Sequence, residues 1–165
     1  MGRSFEDFYR YERTRVIAII FALSGSGAVA EELTQEAFMR AGARWASLSD
    51  YDYPDQWVRR VAVNLAVSAF RRRSAERRAL GRMSTWRPPV VDEVTSSTAE
   101  VWNAVRALPR RQAQVIALTY VDDLPAKEVA KILGIAEPTV RTLLHRARAR
   151  LAVALGELEP EESRP

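Results

Sequence analysis

The spacing of the apolar residues constrains this chain more than any other feature of its sequence. Apolar residues recur at steps of three and four along nearly the whole chain, and runs that alternate apolar with polar β-branched residues are missing. The first pattern is that of helices buried along one side, whereas alternation would indicate half-buried strands. The sequence therefore predicts an all-α fold.

The longest interruption of the helical pattern falls at residues 75–97. This stretch carries many charged residues, the pair Pro88-Pro89 and a cluster of serines and threonines, a composition typical of a linker. A chain of 165 residues is long enough for two small domains. We therefore expect two small helical bundles joined by a flexible linker, with a first domain at 1–74, the linker at 75–97, a second domain at 98–158 and an acidic tail at 159–165.

Three helices are predicted in the first domain, at about 4–23, 28–44 and 54–73. Residues 45–53 have no helical period and contain aromatic side chains, so we expect an ordered loop that ends at Pro54, the first residue of the third helix. The third helix has an ordinary apolar stripe and also a second stripe, whose chemistry is not that of a core. This second stripe consists of Trp57, Arg60, Asn64, Ser68 and Arg71.

Four helices are predicted in the second domain, at about 98–107, 110–120, 125–133 and 138–155. Between the last two, Gly134 is suited to a left-handed turn, and Ala130 is small where the following helix would cross. This spacing predicts a helix-turn-helix. The outer face of the last helix is basic, which suits the major groove of DNA. The alternative is a hairpin in some other helical bundle, with a solvated arginine face.

Composition excludes several classes of function. The chain has no cysteine and a single histidine, His145, which excludes thiolate metal sites and leaves almost no room for Cys- or His-based nucleophiles. It also shows no paired carboxylates and no glycine-rich phosphate loop, so we expect no catalytic residue, no metal and no cofactor. The longest apolar stretch, Val16 to Leu23, is far shorter than the roughly 20 residues of a membrane-spanning helix. We expect a cytoplasmic protein that is not an enzyme.

The motifs, taken in order, resemble those of the extracytoplasmic-function (ECF) sigma factors, a branch of the sigma-70 family. The segment Ala30–Arg40 is similar to the family's polymerase-binding helix, and Pro54 with Trp57–Asn64 and the following arginines is similar to its promoter-melting helix. In the second domain, Ala107–Arg111 and Thr139–Arg148 complete the pattern. The resemblance covers nearly the whole chain, and it implies a factor that binds core RNA polymerase and directs initiation at promoters.

The resemblance implies three sets of site residues. The set for core polymerase is Glu31, Glu32, Gln35, Glu36, Phe38 and Arg40. The set for the minus-ten element is Tyr51, Tyr53, Trp57, Arg59, Arg60, Asn64, Arg71, Arg72 and Arg73. The set for the minus-thirty-five element is Pro138, Thr139, Arg141, Thr142, His145 and Arg146. Promoter DNA and core polymerase are thus the expected partners, and the family also implies an anti-sigma factor that clamps both DNA-binding faces.

Some positions depart from the family's usual pattern, and some readings stay open. Leu143 stands where the family commonly has arginine and Pro138 where it commonly has glycine, which leaves the minus-thirty-five sequence preference undetermined. Asn64 is a poor helix former, so we expect it to hydrogen-bond to carbonyls of the preceding loop, to read a base of the melted strand as the family implies, or to do both. The competing function is a stand-alone helix-turn-helix regulator whose first bundle senses a ligand or dimerises.

Overall fold

The computed structural model describes residues 3–81 and 96–156, and every regular element within them is an α-helix. The first bundle contains α1 (Phe5–Ser24), α2 (Gly27–Ala43), α3 (Trp45–Leu48) and α4 (Pro54–Leu80). The second contains α5 (Ser96–Arg106), α6 (Arg110–Tyr120), α7 (Ala126–Leu133) and α8 (Glu137–Gly156). The predicted all-α fold with two helical bundles is confirmed.

Two of the predicted elements differ from those observed. Helix α4 continues to Leu80 rather than ending near Arg73, because residues 74–80 are mostly good helix formers and contain no glycine or proline. The predicted loop begins with the short helix α3, which buries Leu48. Most of the predicted linker and the whole of the predicted acidic tail lie outside the described residues, so the domain boundaries stay a prediction.

The first bundle is built on α1, which packs against both α2 and α4. Phe8, Ile19 and Ile20 of α1 are fully buried, and so are Val58 and Ala62 of α4. This is the apolar stripe expected of each helix. An aromatic cluster closes the end of the bundle near the N-terminus, where the Phe8 ring lies 4.9 Å from that of Trp45 and 5.9 Å from that of Phe38.

The turn between α1 and α2 follows from its glycine and serine residues. Gly25 has a left-handed backbone, with φ of 71°, and its N–H donates to the carbonyl of Phe21 at 2.8 Å. The hydroxyl of Ser26 then accepts from the backbone N–H of Val29 at 3.4 Å and caps α2. The chain thus reverses direction over two residues, as its glycine-rich sequence predicts.

Helices α7 and α8 form the predicted helix-turn-helix. Gly134 is left-handed, with φ of 65°, and the N–H of Ile135 donates to the carbonyl of Ala130 at 3.1 Å. Val129 and Val140 are fully buried where the two helices meet. The turn glycine and the small Ala130 are therefore used as the sequence indicates.

We expect Gly134→Ala to lower the free energy of unfolding by about 1–2 kcal/mol, because a side chain disfavours the left-handed backbone. A Cβ there would clash with Nη2 of Arg60, but the end of that side chain can move aside. Urea unfolding measures the change. Gly27→Ala is the control, because Gly27 lies at the start of α2 with nothing within 4 Å of an added Cβ. Equal stabilities for the two variants would contradict the prediction.

The two bundles also pack against each other, which the sequence does not predict. Helix α1 contacts α5 and α6, and α4 contacts α6 and α7. Arg106 of α5 reaches the C-terminal end of α1, where its Nε donates to the carbonyl of Ala22 at 2.8 Å. Burial lowers the pKa of Arg106, while the negative end of the α1 dipole favours a cation there. The buried apolar residues of both bundles consequently join in one core.

Candidate DNA and polymerase interfaces

The residues predicted for the minus-thirty-five element lie together on the exposed face of α8. All six side chains of this set are exposed, whereas Val140, Leu144 and Ala147 on the opposite side are buried against the bundle. Arg141 Nη2 lies 2.5 Å from Glu137 Oε1, an exposed ion pair that solvent weakens. The face is therefore free to meet a partner and rich in donors for phosphates and base edges.

The residues predicted for polymerase lie on α2, and most of them are accessible. Glu31, Glu32, Gln35 and Arg40 are exposed, and Glu36 is half-buried. Each of two acidic residues already has a cation nearby, since Glu31 Oε2 lies 2.7 Å from Arg13 Nη2 and Glu36 Oε1 lies 2.7 Å from Arg40 Nε.

Phe38 departs from the prediction for that set. It is only 3% exposed and packs in the core against Phe8 and Tyr9. Its place on α2, one helical turn after the buried Thr34, puts it on the inner face of that helix. Phe38 therefore packs α2 against α1 and is too buried in this arrangement to contact polymerase.

The residues predicted for the minus-ten element fall into three groups by burial. Tyr51, Tyr53, Arg60, Arg71 and Arg72 are exposed, whereas Trp57, Asn64 and Arg73 are half-buried. Arg59 is only 2% exposed, although it is predicted to contact the minus-ten element. The third group thus consists of one residue enclosed by the fold.

The second stripe of α4 faces the second bundle. Near its start, Lys131 Nζ lies 5.2 Å from the centre of the Tyr53 ring, and Gln56 Nε2 donates to Glu128 Oε2 at 2.7 Å. One turn further along, the guanidinium of Arg60 lies over the bare Cα of Gly134. The helix-turn-helix therefore covers the first half of this stripe.

Helix α6 covers the next part of the stripe. Asn64 Oδ1 accepts from Arg110 Nη2 at 3.1 Å and from Gln114 Nε2 at 2.9 Å. Arg110 Nη1 also donates to Ser68 Oγ at 3.1 Å. The partners of Asn64 are thus side chains of the other bundle and not carbonyls of the preceding loop. This set of contacts explains why a stripe without core chemistry is nevertheless partly buried.

Arg59 is the centre of a buried ionic cluster with three carboxylates. Its Nη2 lies 3.0 Å from Glu12 Oε2, its Nη1 lies 3.0 Å from Asp55 Oδ2, and its Nε donates to Asp122 Oδ2. The side chains of Arg59, Glu12 and Asp122 are 2–4% exposed. Glu12 belongs to α1, and Asp122 lies in the turn after α6. The cluster therefore crosses from one bundle to the other.

The pKa shifts in this cluster have opposing causes. Burial raises the pKa of Glu12, and the attraction of Arg59 opposes this without cancelling it. Burial by itself would lower the pKa of Arg59, but its hydrogen bond to Asp122 and the charges of the three carboxylates raise it overall. The positive charge of the guanidinium therefore offsets the cost of burying the carboxylates.

The predicted site residues do not include the partners of Arg59 and Asn64, which are Glu12, Asp55, Asp122, Arg110 and Gln114. A signal exists for Glu12, which occupies the buried side of α1 midway between Phe8 and Val16 at four-residue steps. Gln114 gives a similar signal, because it lies within a run of buried residues from Gln112 to Leu118. A polar residue at a core position indicates a buried partner, but its identity is not readable from one sequence.

Metal and membrane features do not appear in the described part of the chain. Residues 3–81 and 96–156 contain no group of three or more His, Asp or Glu side chains placed to hold a metal ion. Within the same ranges, no helix combines the length and apolar character needed to cross a bilayer.

Comparison with known proteins matches both halves of the chain. A family model described as Sigma-70 region 2 matches residues 8–76, and one described as Sigma-70, region 4 matches residues 98–151. The RNA polymerase sigma-E factor of Streptomyces avermitilis is 30% identical over 153 residues, covering 88% of this chain and 83% of that protein. The ECF RNA polymerase sigma factor SigW of Bacillus subtilis is 27% identical over 172 residues, covering 94% of this chain and 90% of that protein.

Two solved structures share the fold over both bundles. One is the sigma factor RpoE from Bartonella quintana in complex with the anti-sigma factor NepR, with a TM-score of 0.71 and 22% identity over 92% of this chain and 96% of that chain. The other is CnrH in complex with the cytosolic domain of CnrY, with a TM-score of 0.65 and 23% identity over 93% of this chain and 88% of that chain. With both sigma-70 regions matched in order and a helix-turn-helix in the second, this chain belongs to the ECF sigma factors of the sigma-70 family.

Proposed function

We propose that three separate surfaces carry out the work of this sigma factor. The chain binds core RNA polymerase and directs promoter-specific initiation, as a member of its family. The acidic face of α2 docks on polymerase, the start of α4 with Tyr51 and Tyr53 holds the melted minus-ten strand, and the outer face of α8 reads the minus-thirty-five element. The chain performs no chemistry of its own and acts in the cytoplasm, where polymerase is found.

The exposed basic face of α8 is the observation that carries this proposal. Arg141 and Arg146 are both exposed on a helix whose other side is anchored in the bundle, so they project from a rigid element. An α-helix fits the major groove of DNA, where arginine can donate two hydrogen bonds to guanine. Arginines that miss the base edges instead neutralise phosphates and fix the register of the helix.

The proposed minus-ten surface has the chemistry for a single strand. Tyr51 and Tyr53 are exposed aromatic residues on which bases can stack. Asn64 lies further along α4, and its amide can both donate and accept hydrogen bonds with a base edge. Arg71 and Arg72 are exposed at the far end of the same helix and suit phosphates. These contacts would offset the few kcal/mol that unpairing and unstacking a base require.

A regulatory partner is also part of the proposal. Two solved relatives with the same fold are bound to the anti-sigma factor NepR and to the cytosolic domain of CnrY. We propose that this chain likewise has an anti-sigma factor, which covers both DNA-binding faces. Co-purification with the tagged chain, followed by inhibition of transcription by the purified partner, would test this.

Replacing Arg141 or Arg146 with alanine is expected to weaken promoter binding by the reconstituted polymerase complex. A residue that reads a base bidentately would cost about 1–3 kcal/mol and change the sequence preference. A phosphate contact would lower affinity evenly across sequences and reduce the salt dependence. Binding titrations at several salt concentrations distinguish these results.

Arg10→Ala is the matched control for Arg141→Ala. Arg10 Nη2 lies 2.5 Å from Glu6 Oε1 in an exposed pair of the same spacing, on the first bundle and far in sequence from α8. It should bind promoters as the wild type does. If Arg141→Ala and Arg146→Ala also bind as the wild type does, the face of α8 does not read DNA.

A further inference from the structure

The second stripe of α4 is occupied by the chain's own second bundle. Asn64 Oδ1 already accepts two hydrogen bonds from α6, and Gln56 is bonded to Glu128 of α7. Lys131 lies against the Tyr53 ring, which is a surface proposed to stack a base. A DNA strand cannot make the proposed contacts with Asn64 while these partners remain in place.

We infer that the free chain holds itself closed over its minus-ten surface, and that Asp122 is the latch. The closed state is inferred from the contacts between the bundles alone. Its effect on DNA binding rests in addition on the proposed function of the α4 surface. Polymerase and promoter must then bind the open form, so the closed form lowers the apparent affinity for DNA in proportion to its population.

Asp122 is assigned this role because it is the one member of the Arg59 cluster that belongs to the second bundle. Glu12, Asp55 and Arg59 all lie on α1 and α4, so their contacts persist whether the bundles are together or apart. The carboxylate of Asp122 is 2% exposed in the closed form and accepts from the guanidinium Nε. Opening would break this one ion pair of the cluster, together with the hydrogen bonds that join α1 and α4 to the second bundle, and would let water reach Arg59 and Asp122.

The latch can be tested on the full chain with two fluorophores. The sequence contains no cysteine, so Ala43→Cys on α2 and Ala152→Cys on α8, both exposed positions, place one dye on each bundle. Wild type should give high energy transfer. Asp122→Ala leaves the Arg59 Nε without an acceptor in the closed form only, which should shift the equilibrium about 5- to 150-fold toward the open form and lower the transfer.

Two variants serve as controls for this substitution. Asp55→Ala removes a carboxylate from the same guanidinium but within α4, so it should leave transfer high. Asp123→Asn removes a neighbouring exposed charge and keeps a residue that tolerates its φ of 53°. Circular dichroism verifies that each variant is folded. If Asp122→Ala does not fold, Asp122→Asn replaces it, because asparagine keeps the shape of the side chain and removes only its charge.

Binding of a dye-labelled pool of random single-stranded DNA to the free chain is the second measurement. Lower transfer in Asp122→Ala, together with tighter DNA binding that is lost again in the double variant with Asn64→Ala, supports the latch and the covered surface. Lower transfer without any gain in binding supports the latch but overturns the minus-ten assignment of the α4 stripe. Unchanged transfer in Asp122→Ala, or low transfer in the wild type, overturns the latch.

Discussion

Asn64→Ala is expected to reduce open-complex formation about 5- to 150-fold on a fully paired promoter. This range corresponds to the loss of about 1–3 kcal/mol from a hydrogen-bonded base in the melted strand. A template already mismatched over the minus-ten region should recover much of the activity, because unpairing then costs nothing further. Permanganate footprinting on both templates measures the effect. Recruitment to duplex DNA through α8 should stay nearly intact.

Gln114→Ala is the matched control for Asn64→Ala. Gln114 Nε2 donates to Asn64 Oδ1 at 2.9 Å, so this variant removes a partner of Asn64 while leaving the amide in place for DNA. If Asn64 only joins the two bundles, both variants should show the same defect and the same loss of melting temperature. If Asn64 reads a base, only Asn64→Ala should fail to open the paired promoter. Equal footprints for Asn64→Ala and wild type would contradict the prediction.

Arg59→Met should lower the free energy of unfolding by about 3–5 kcal/mol at neutral pH. The substitution leaves Glu12 and Asp122 buried without their cation, and an uncompensated buried charge has a cost of this size. Methionine fills similar space, so lost packing contributes little. Urea unfolding measures the loss. Arg60→Met is the control, because Arg60 is the next residue and exposed, and it should change stability by less than about 0.5 kcal/mol.

The loss in Arg59→Met should become smaller as the pH falls. The pKa of Glu12 is already raised by burial in the wild type, and removing the attraction of Arg59 raises it further. A carboxyl whose pKa is higher in the folded than in the unfolded protein favours the folded state most at low pH, where it is protonated. This contribution to stability is lost as the pH rises through the folded pKa. Unfolding at pH 5 and pH 7.5 should therefore differ more for the variant than for the wild type. An equal loss at both pH values would contradict this account.

Local features of the sequence determined the helices, their turns and one of the candidate surfaces. The left-handed glycines Gly25 and Gly134 lie where the pattern predicts turns, since a positive φ favours glycine at one position whatever the rest of the chain does. The exposed face of α8 is equally local, because three- and four-residue spacing alone separates Arg141 and Arg146 from the buried Val140 and Leu144.

Only the tertiary structure decided what the second stripe of α4 contacts. Asn64 belongs to that stripe and Arg59 lies beside it on the same helix, and polar side chains of a helix can face water, nucleic acid or another helix with the same periodicity. Their partners, Gln114 and Asp122, are 50 and 63 residues away along the chain. Contacts at that separation depend on how the two bundles pack against each other, and the local sequence of α4 does not indicate this packing. For that reason the resemblance placed Arg59 among the minus-ten contacts, while the fold encloses it among three carboxylates.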